Sequence, residues 1–402
     1  GLAILAAAPE APAQKKNRKK QVQEEKKPWW DAPQPRFSTS ELGRVFSGTI
    51  EMRGDAPVKD RNTYKAIAVR LGEDGTAATV LFDTEMMRMA CAIPDRPVMF
   101  NTYRDGLGGA GHWVGDPYLF TAETGPGWAN EGGSFDDPRS EKAGPLPAGW
   151  ARYRGLYRNG PRTIFAYTIN GVNVLDHPWV TEIGEQRAIT RTLEIDPATS
   201  DLVLRVCQER ANDEAVTAVA VSPPNSGATV KVADGHWFLH VPKHDQSLLL
   251  KLVIATVPPT QVKALGKAAQ QGKVQALSPL ITGGPARFPD PLVTSGELGR
   301  GKAPYVVDTL TPPFDNPDKI LFRFGGHDFF ENGDIAVCTI DGDVWRVSGV
   351  DDDLDRLEWR RFATGLFQPL GLRIVKDKVH VLGRDQITRL HDLNDDGEAD
   401  YY

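Results

Sequence analysis

The chain has 402 residues and a formal net charge of −6; 40% of its residues are hydrophobic and 25% charged, with 39 glycines and 30 prolines. Those values exclude a disordered or collagen-like chain, and the acidic balance supplies no global basic field to hold nucleic acid. Glycine and proline make about one residue in six against roughly one in eight in average usage, which favours a turn-rich fold over a helical one.

The first residues, Leu2 to Ala8, are apolar and are followed by Ala11-Pro12-Ala13, a small-x-small pattern. Residues 1–13 read as the remnant of a secretory signal, so the expected location is secreted or periplasmic. Residues 14–36 are lysine-rich with Pro28, Pro33 and Pro35 and little apolar content, the composition of a solvated linker. Residues 1–36 carry eight basic and four acidic side chains, so the remainder is more acidic than the whole.

Residues 37–257 alternate with period two. Tyr64 to Leu71 and Thr79 to Phe82 flank Glu73-Asp74-Gly75. Thr163 to Ile169 and Val172 to Leu175 flank Asn170-Gly171, and Val230 to Val232 and Trp237 to Val241 flank Asp234-Gly235. Asn-Gly suits both central positions of a type I′ turn, whose twist matches that of its strands. Many short strands with turn signals and no long amphipathic helix predict an antiparallel β-sandwich. Met86, Met87 and Met89 beside Cys91 read as core packing, since methionine fills irregular gaps.

A glycine-rich segment, Asp105 to Gly111, precedes His112 and Trp113, and Gly125-Pro126-Gly127 precedes Trp128. A phosphate-cradling loop needs a helix after it, and Val114-Gly115-Asp116-Pro117 is not one. Two readings stand for the tryptophans: Trp113 and Trp128 form a ligand surface for carbohydrate, or with Trp150 they cap the sandwich. His236 and His240 fall in a strand about 13 Å apart and cannot share one metal. Cys91, Cys207 and Cys338 are too widely spaced for a CxxC pair, a Cys-rich zinc site or a CxxCH haem attachment. No apolar run reaches the roughly 18 residues of a membrane-spanning helix.

Residues 258–300 are a joint: Pro258-Pro259 stops the last strand, Gln261 to Leu277 predicts a helix, and Gly283-Gly284-Pro285 marks a linker. In residues 301–402 the turns Asn332-Gly333 and Asp341-Gly342 separate short strands, and the pattern restarts after Leu370. Val337 and Val381 lie 44 positions apart, and Val347 and Leu390 lie 43 apart. A four-stranded unit recurring near that period predicts β-propeller blades, and about four to eight are needed for closure. Two blades fit before Tyr402, so the chain is expected to be a fragment of a longer protein. The whole is therefore expected to be all-β: an antiparallel β-sandwich followed by the first blades of a propeller.

The last segment, Asp392-Leu393-Asn394-Asp395-Asp396-Gly397-Glu398-Ala399-Asp400, has the spacing of an EF-hand-type calcium loop. Asp392, Asn394, Asp396 and Asp400 would offer side-chain oxygens and Glu398 its backbone carbonyl. The alternative is a solvated acidic turn.

Gly342-Asp343-Val344-Trp345, Phe362 to Leu372 and Gly383 to Leu390 resemble a secreted planctomycete and verrucomicrobial family, as do Leu81 to Ala90, Pro126 to Ala129 and Gly155-Leu156-Tyr157. Its members join an uncharacterised N-terminal β domain (DUF6797-like) to a propeller similar to glucose/sorbosone dehydrogenases. The resemblance implies a quinoprotein acting on sugars or related alcohols, with pyrroloquinoline quinone (PQQ), calcium and a downstream c-type cytochrome domain as partners. It assigns no catalytic residue here; His327 and Arg384-Asp385 are only polar residues of the blades. The competing expectation is a non-catalytic carbohydrate-binding or cell-surface scaffold.

Overall fold

The computed structural model describes residues 43–402 apart from 55–57, 59, 101–111, 143, 184–185, 213, 270–272 and 302–303. The expected signal remnant and basic linker, and the glycine-rich segment 105–111, lie outside the described residues. The described chain is all-β, as expected.

The first sheet contains β1 (Val45–Met52), β2 (Asn62–Leu71), β3 (Ala78–Asp83), β4 (Arg88–Pro94), β5 (Met99–Phe100), β6 (His112–Val114) and β7 (Phe120–Thr121), in the order β5-β6-β1-β2-β3-β4-β7. It departs from pure antiparallel pairing at one place, where Ile50, Glu51 and Met52 pair in parallel with His112, Trp113 and Val114. A crossover of about sixty residues, not a hairpin, joins these two strands, and only such a connection permits parallel neighbours. Strands β3 and β4 are buried on both faces, which explains their unbroken apolar runs.

The second sheet is built from β8 (Ala151–Asn159), β9 (Arg162–Ile169), β10 (Val172–Ile183), β11 (Gln186–Ile195), β13 (Val216–Ser222) and β16 (Leu248–Val257), in the order β13-β16-β11-β10-β9-β8. A third, smaller sheet holds β12 (Leu202–Gln208), β14 (Thr229–Ala233) and β15 (His236–Val241). Asn170 and Gly171 have φ of 49° and 82°, the left-handed pair that a type I′ turn requires. Val69, Val80 and Phe82 of the first sheet meet Phe165, Tyr167 and Leu193 of the second in one buried cluster. The rings of Phe82 and Phe165 stack at 4.1 Å. Each such side chain contributes about 1.5–3 kcal/mol on burial. Met87, Met89 and Cys91 are buried, as expected.

The joint contains a shorter helix than its sequence predicts: α1 spans Val262–Ala269. Residues 273–276 are not helical, and tertiary bonds hold the segment after the helix. The Glu194 carboxylate accepts the backbone N–H groups of Leu277 (2.6 Å) and Ser278 (3.1 Å), and Arg162 donates to Gln275 Oε1 at 2.6 Å.

Beyond the joint, β17 (Leu292–Thr294) joins the outer edge of a sheet formed by β20 (Phe324–Phe329), β21 (Ile335–Thr339), β22 (Val344–Ser348) and β23 (Leu357–Ala363), and β18 (Gly296–Glu297) pairs with β19 (Thr309–Leu310). The unit then restarts as β24 (Gly371–Val375), β25 (Lys378–Leu382) and β26 (Ile387–Leu390). The backbones of β20 and β24 approach closely: a Cβ on Gly326 would lie 2.8 Å from the Leu372 nitrogen, so a side chain there would push the two units apart.

Candidate functional site

The concave surface with the richest chemistry lies on the outer face of the second sheet. Side chains two apart on a strand share a face, and register aligns them across strands. His177 pairs with Thr192, and Thr192 with Lys251; Trp179 pairs with Thr190, and Thr190 with Val253. Two adjacent rows, His177–Thr192–Lys251 and Trp179–Thr190–Val253, therefore form one floor. Ala268 of α1 and the captured segment through Lys273, Gln275 and Leu277 wall it, and the resulting groove has a volume of about 420 Å³. That volume falls in the range of small-molecule sites.

The opposite face of the same strands is core. Asp176 and Arg191 point inward, are fully buried and pair with each other, and the Tyr167 hydroxyl donates to Asp176 Oδ2 at 3.0 Å. His177, one residue on, faces the groove while remaining only 7% exposed. Burial holds its pKa down to about 4, against the pull of the Thr163 carbonyl. The ring is therefore neutral at pH 7. Its Nδ1 lies 3.0 Å from that carbonyl, so the proton sits on Nδ1 and Nε2 is left as an acceptor. Trp179 is partly exposed beside it, their rings 5.7 Å apart. Such a floor can offer a flat apolar face, two hydroxyls, an imidazole acceptor and cationic donors to one ligand.

Of the tryptophans singled out from sequence, Trp128 is not at a surface. Trp128 is 1% exposed and belongs to the sandwich core, where its carbonyl accepts from Trp150 Nε1 at 3.0 Å. An indole that large is worth more to the core than any exposed position returns. Trp113 lies in β6, half-buried, with the Arg53 guanidinium 5.0 Å from its ring centroid.

The acidic loop is committed to the protein itself. Asp392 accepts the backbone N–H groups of Asp396 (3.2 Å) and Gly397 (2.9 Å), and Asp396 accepts that of Glu398 at 3.0 Å. Asn394 donates to the Gly284 carbonyl at 2.6 Å, and Asp400 accepts from Gly284 N (2.9 Å) and Leu393 N (2.9 Å). Glu398 pairs with the Arg287 side chain and accepts the backbone N–H groups of Arg287 (2.6 Å) and Phe288 (3.1 Å). Burial pushes the Asp400 carboxyl above the usual range. Among the described residues no group of three or more His, Cys, Asp or Glu is placed to hold a metal ion. The loop clasps the linker at 284–288. Glu398→Gln is expected to cost about 2–3 kcal/mol in urea unfolding, since it removes a charge-assisted bond to a buried guanidinium.

Arg384 and His327 both contact neighbouring side chains. Arg384 donates to Gln368 Oε1 at 3.1 Å and lies 5.8 Å from the Phe367 ring, and His327 sits edge-on to Phe329 within β20. We assign neither to a cofactor.

Residues 80–176 match the family described as Domain of unknown function (DUF6797). The chain carries a DUF6797-like domain. No curated protein and no solved structure matches the chain. The DUF6797-like segment runs from β3 into β10 and ends on Asp176, the buried partner of Arg191. It therefore holds much of the sandwich core and Arg162 of the groove, while the groove floor from His177 onward comes after it.

Nothing in composition pointed to this groove. The usable signal was local: His177-Pro178-Trp179-Val180-Thr181 places an imidazole, an indole and a hydroxyl on one side of a strand whose register the Asn170-Gly171 turn sets. Thr190, Thr192 and Lys251 carry no such mark, because only register brings them alongside.

Proposed function

We propose that the sandwich is a carbohydrate-binding module and that its ligand lies in the groove over β10, β11 and β16. The observation that carries this reading is Trp179, a partly exposed indole on a rigid sheet beside the Thr190 and Thr192 hydroxyls and the His177 acceptor. A pyranose presents an apolar C–H face and a rim of hydroxyls, so one stacking ring with polar groups around it matches both. The floor is backbone-paired strand, which keeps these groups in place without an ordering cost on binding.

In this reading the module accompanies the blade units of a secreted protein, where it would hold saccharide near whatever the rest of that protein does. The dehydrogenase-like chemistry implied by the resemblance lies outside the module, and neither PQQ nor calcium enters the module's binding. Trp179→Ala is expected to weaken retention on immobilised polysaccharide at least tenfold, with the melting temperature within a few degrees of wild type. Retention unchanged by Trp179→Ala, or absent from every glycan for the wild-type chain, defeats the proposal.

A further inference from the structure

The walls of the groove carry a charge imbalance that a neutral sugar does not use. Arg162, Lys251 and Lys273 line it, and Glu182 is the one carboxylate among the lining residues. Each of the three cations stands outside every ion pair among the described residues. The Arg162 guanidinium spends one N–H on Gln275 Oε1 and keeps the others. Lys251 stands at the end of the His177–Thr192–Lys251 row, its side chain half-buried, and Lys273 lines the same space from the non-helical segment after α1. The neutral ring of His177 adds no charge between them.

Some of the chain's other cations are paired, though the buried Arg158 is in none of the ion pairs among the described residues. Arg88 with Asp83, Arg191 with Asp176, Arg323 with Asp341 and Arg361 with Asp343 are all ion pairs at buried or half-buried positions. What sets the groove apart is its lining: three cations outside every ion pair among the described residues face one concavity with a single carboxylate, Glu182. Partial enclosure by the 273–277 segment keeps their field from being screened as at an open surface.

We infer that the groove selects anionic saccharides, glycosyl units bearing a carboxylate or a sulfate, with Arg162, Lys251 and Lys273 receiving the anionic group while Trp179 stacks the ring. This rests on the carbohydrate reading above and adds the charge of the ligand. Arg162 presents a planar fork suited to either oxyanion, and the two lysines act as point charges that tolerate different positions of the group around the ring. Glu182 disfavours a second anionic group at its end of the groove.

The test is calorimetric titration of the 402-residue chain with three oligosaccharides of equal length: a neutral gluco-oligosaccharide, an oligogalacturonate and a sulfated galacto-oligosaccharide. At low ionic strength the acidic ligands are expected to bind at least tenfold more tightly than the neutral one, and the advantage should shrink severalfold in 0.5 M salt. Comparing the two acidic ligands separates carboxylate from sulfate. Lys273→Gln, at an exposed position that does not endanger folding, should reduce the advantage about threefold, whereas Glu182→Gln should increase it. The increase is informative because a merely structural side chain would not improve binding when neutralised. Equal affinity for neutral and acidic ligands overturns this inference and leaves the carbohydrate reading standing; no binding of any of the three overturns both. Polyaspartate bound as tightly as the acidic saccharides also overturns it, since charge alone would then account for the binding.

Discussion

Asp176→Ala is expected to destabilise the protein by about 3–5 kcal/mol, a large share of the 5–15 kcal/mol that holds a typical domain folded. Asp176 and Arg191 are both fully buried between the two sheets, and Arg191 Nε donates to Asp176 Oδ1 at 3.3 Å while Nη2 pairs with Oδ2. Removing the carboxylate leaves a guanidinium with no access to water and no counter-charge, and also strips the Tyr167 hydroxyl of its acceptor. The reciprocal change, Arg191→Met, is expected to cost as much for the mirror-image reason. The double variant Asp176→Leu/Arg191→Met should recover most of the loss, because the desolvation cost of both ions disappears together. Urea unfolding of the four proteins at pH 7 measures this directly. A single-variant loss below 1 kcal/mol, or a double variant no better than the singles, contradicts the account.

Acidification from pH 7 to pH 4 is expected to remove about 3 kcal/mol of stability through His177 alone. In the unfolded chain this ring takes up a proton near its ordinary 6.5, whereas in the fold burial keeps it neutral down to about 4. Between those values the unfolded chain binds the extra proton. The contribution is therefore complete above about pH 6.5 and falls away as the pH drops towards 4. Arg162 adds to the depression and Asp176 opposes it, while Thr192 and Lys251 flank the ring across the sheet. Carboxyls that burial pushes up, among them Glu85, Asp385 and Asp400, contribute with the opposite sign. The measurable quantity is thus the difference between wild type and His177→Gln. That difference should narrow by about 3 kcal/mol between pH 7 and pH 4. Parallel pH profiles for the two proteins would show that the ring is not held neutral by the fold.

The two predictions concern adjacent residues with opposite fates, and that adjacency shows how far sequence carries the site. Alternation along Val174 to Thr181 marks neighbouring positions as facing opposite sides, and the Asn170-Gly171 turn sets the register of the hairpin from local backbone preference alone. That Asp176 faces inward and is tolerated there depends on Arg191, fifteen positions away on the next strand. An isolated Asp in a strand pattern reads as an outward-facing residue, since burial of an unpaired carboxylate is prohibitive. Trp128 fails in the reverse direction. Glycines around it suggest an exposed loop, but its side chain fills the space between the sheets, where a large apolar ring contributes most.

The acidic loop shows the same division. Its D-x-N-x-D-G spacing is legible, and so is the turn it forms: Asp392 collects the N–H groups of Asp396 and Gly397, as that spacing dictates. What the outer carboxylates bind is not legible, because Glu398 and Asp400 find their donors at Arg287, Phe288 and Gly284, more than a hundred positions earlier.

The amino-acid sequence by itself determined the all-β class, the hairpin turns and the burial of the methionine-rich segment, all properties set by neighbours within a few positions. Tertiary structure alone decided that α1 stops at Ala269, that Trp128 is core, that the acidic loop clasps the linker, and that Arg162, His177, Trp179, Thr190, Thr192 and Lys251 share one groove. The reason is range: φ preferences and alternation act through adjacent residues, whereas cross-strand register and charge pairing join residues from distant parts of the chain that meet only once the sheets have closed.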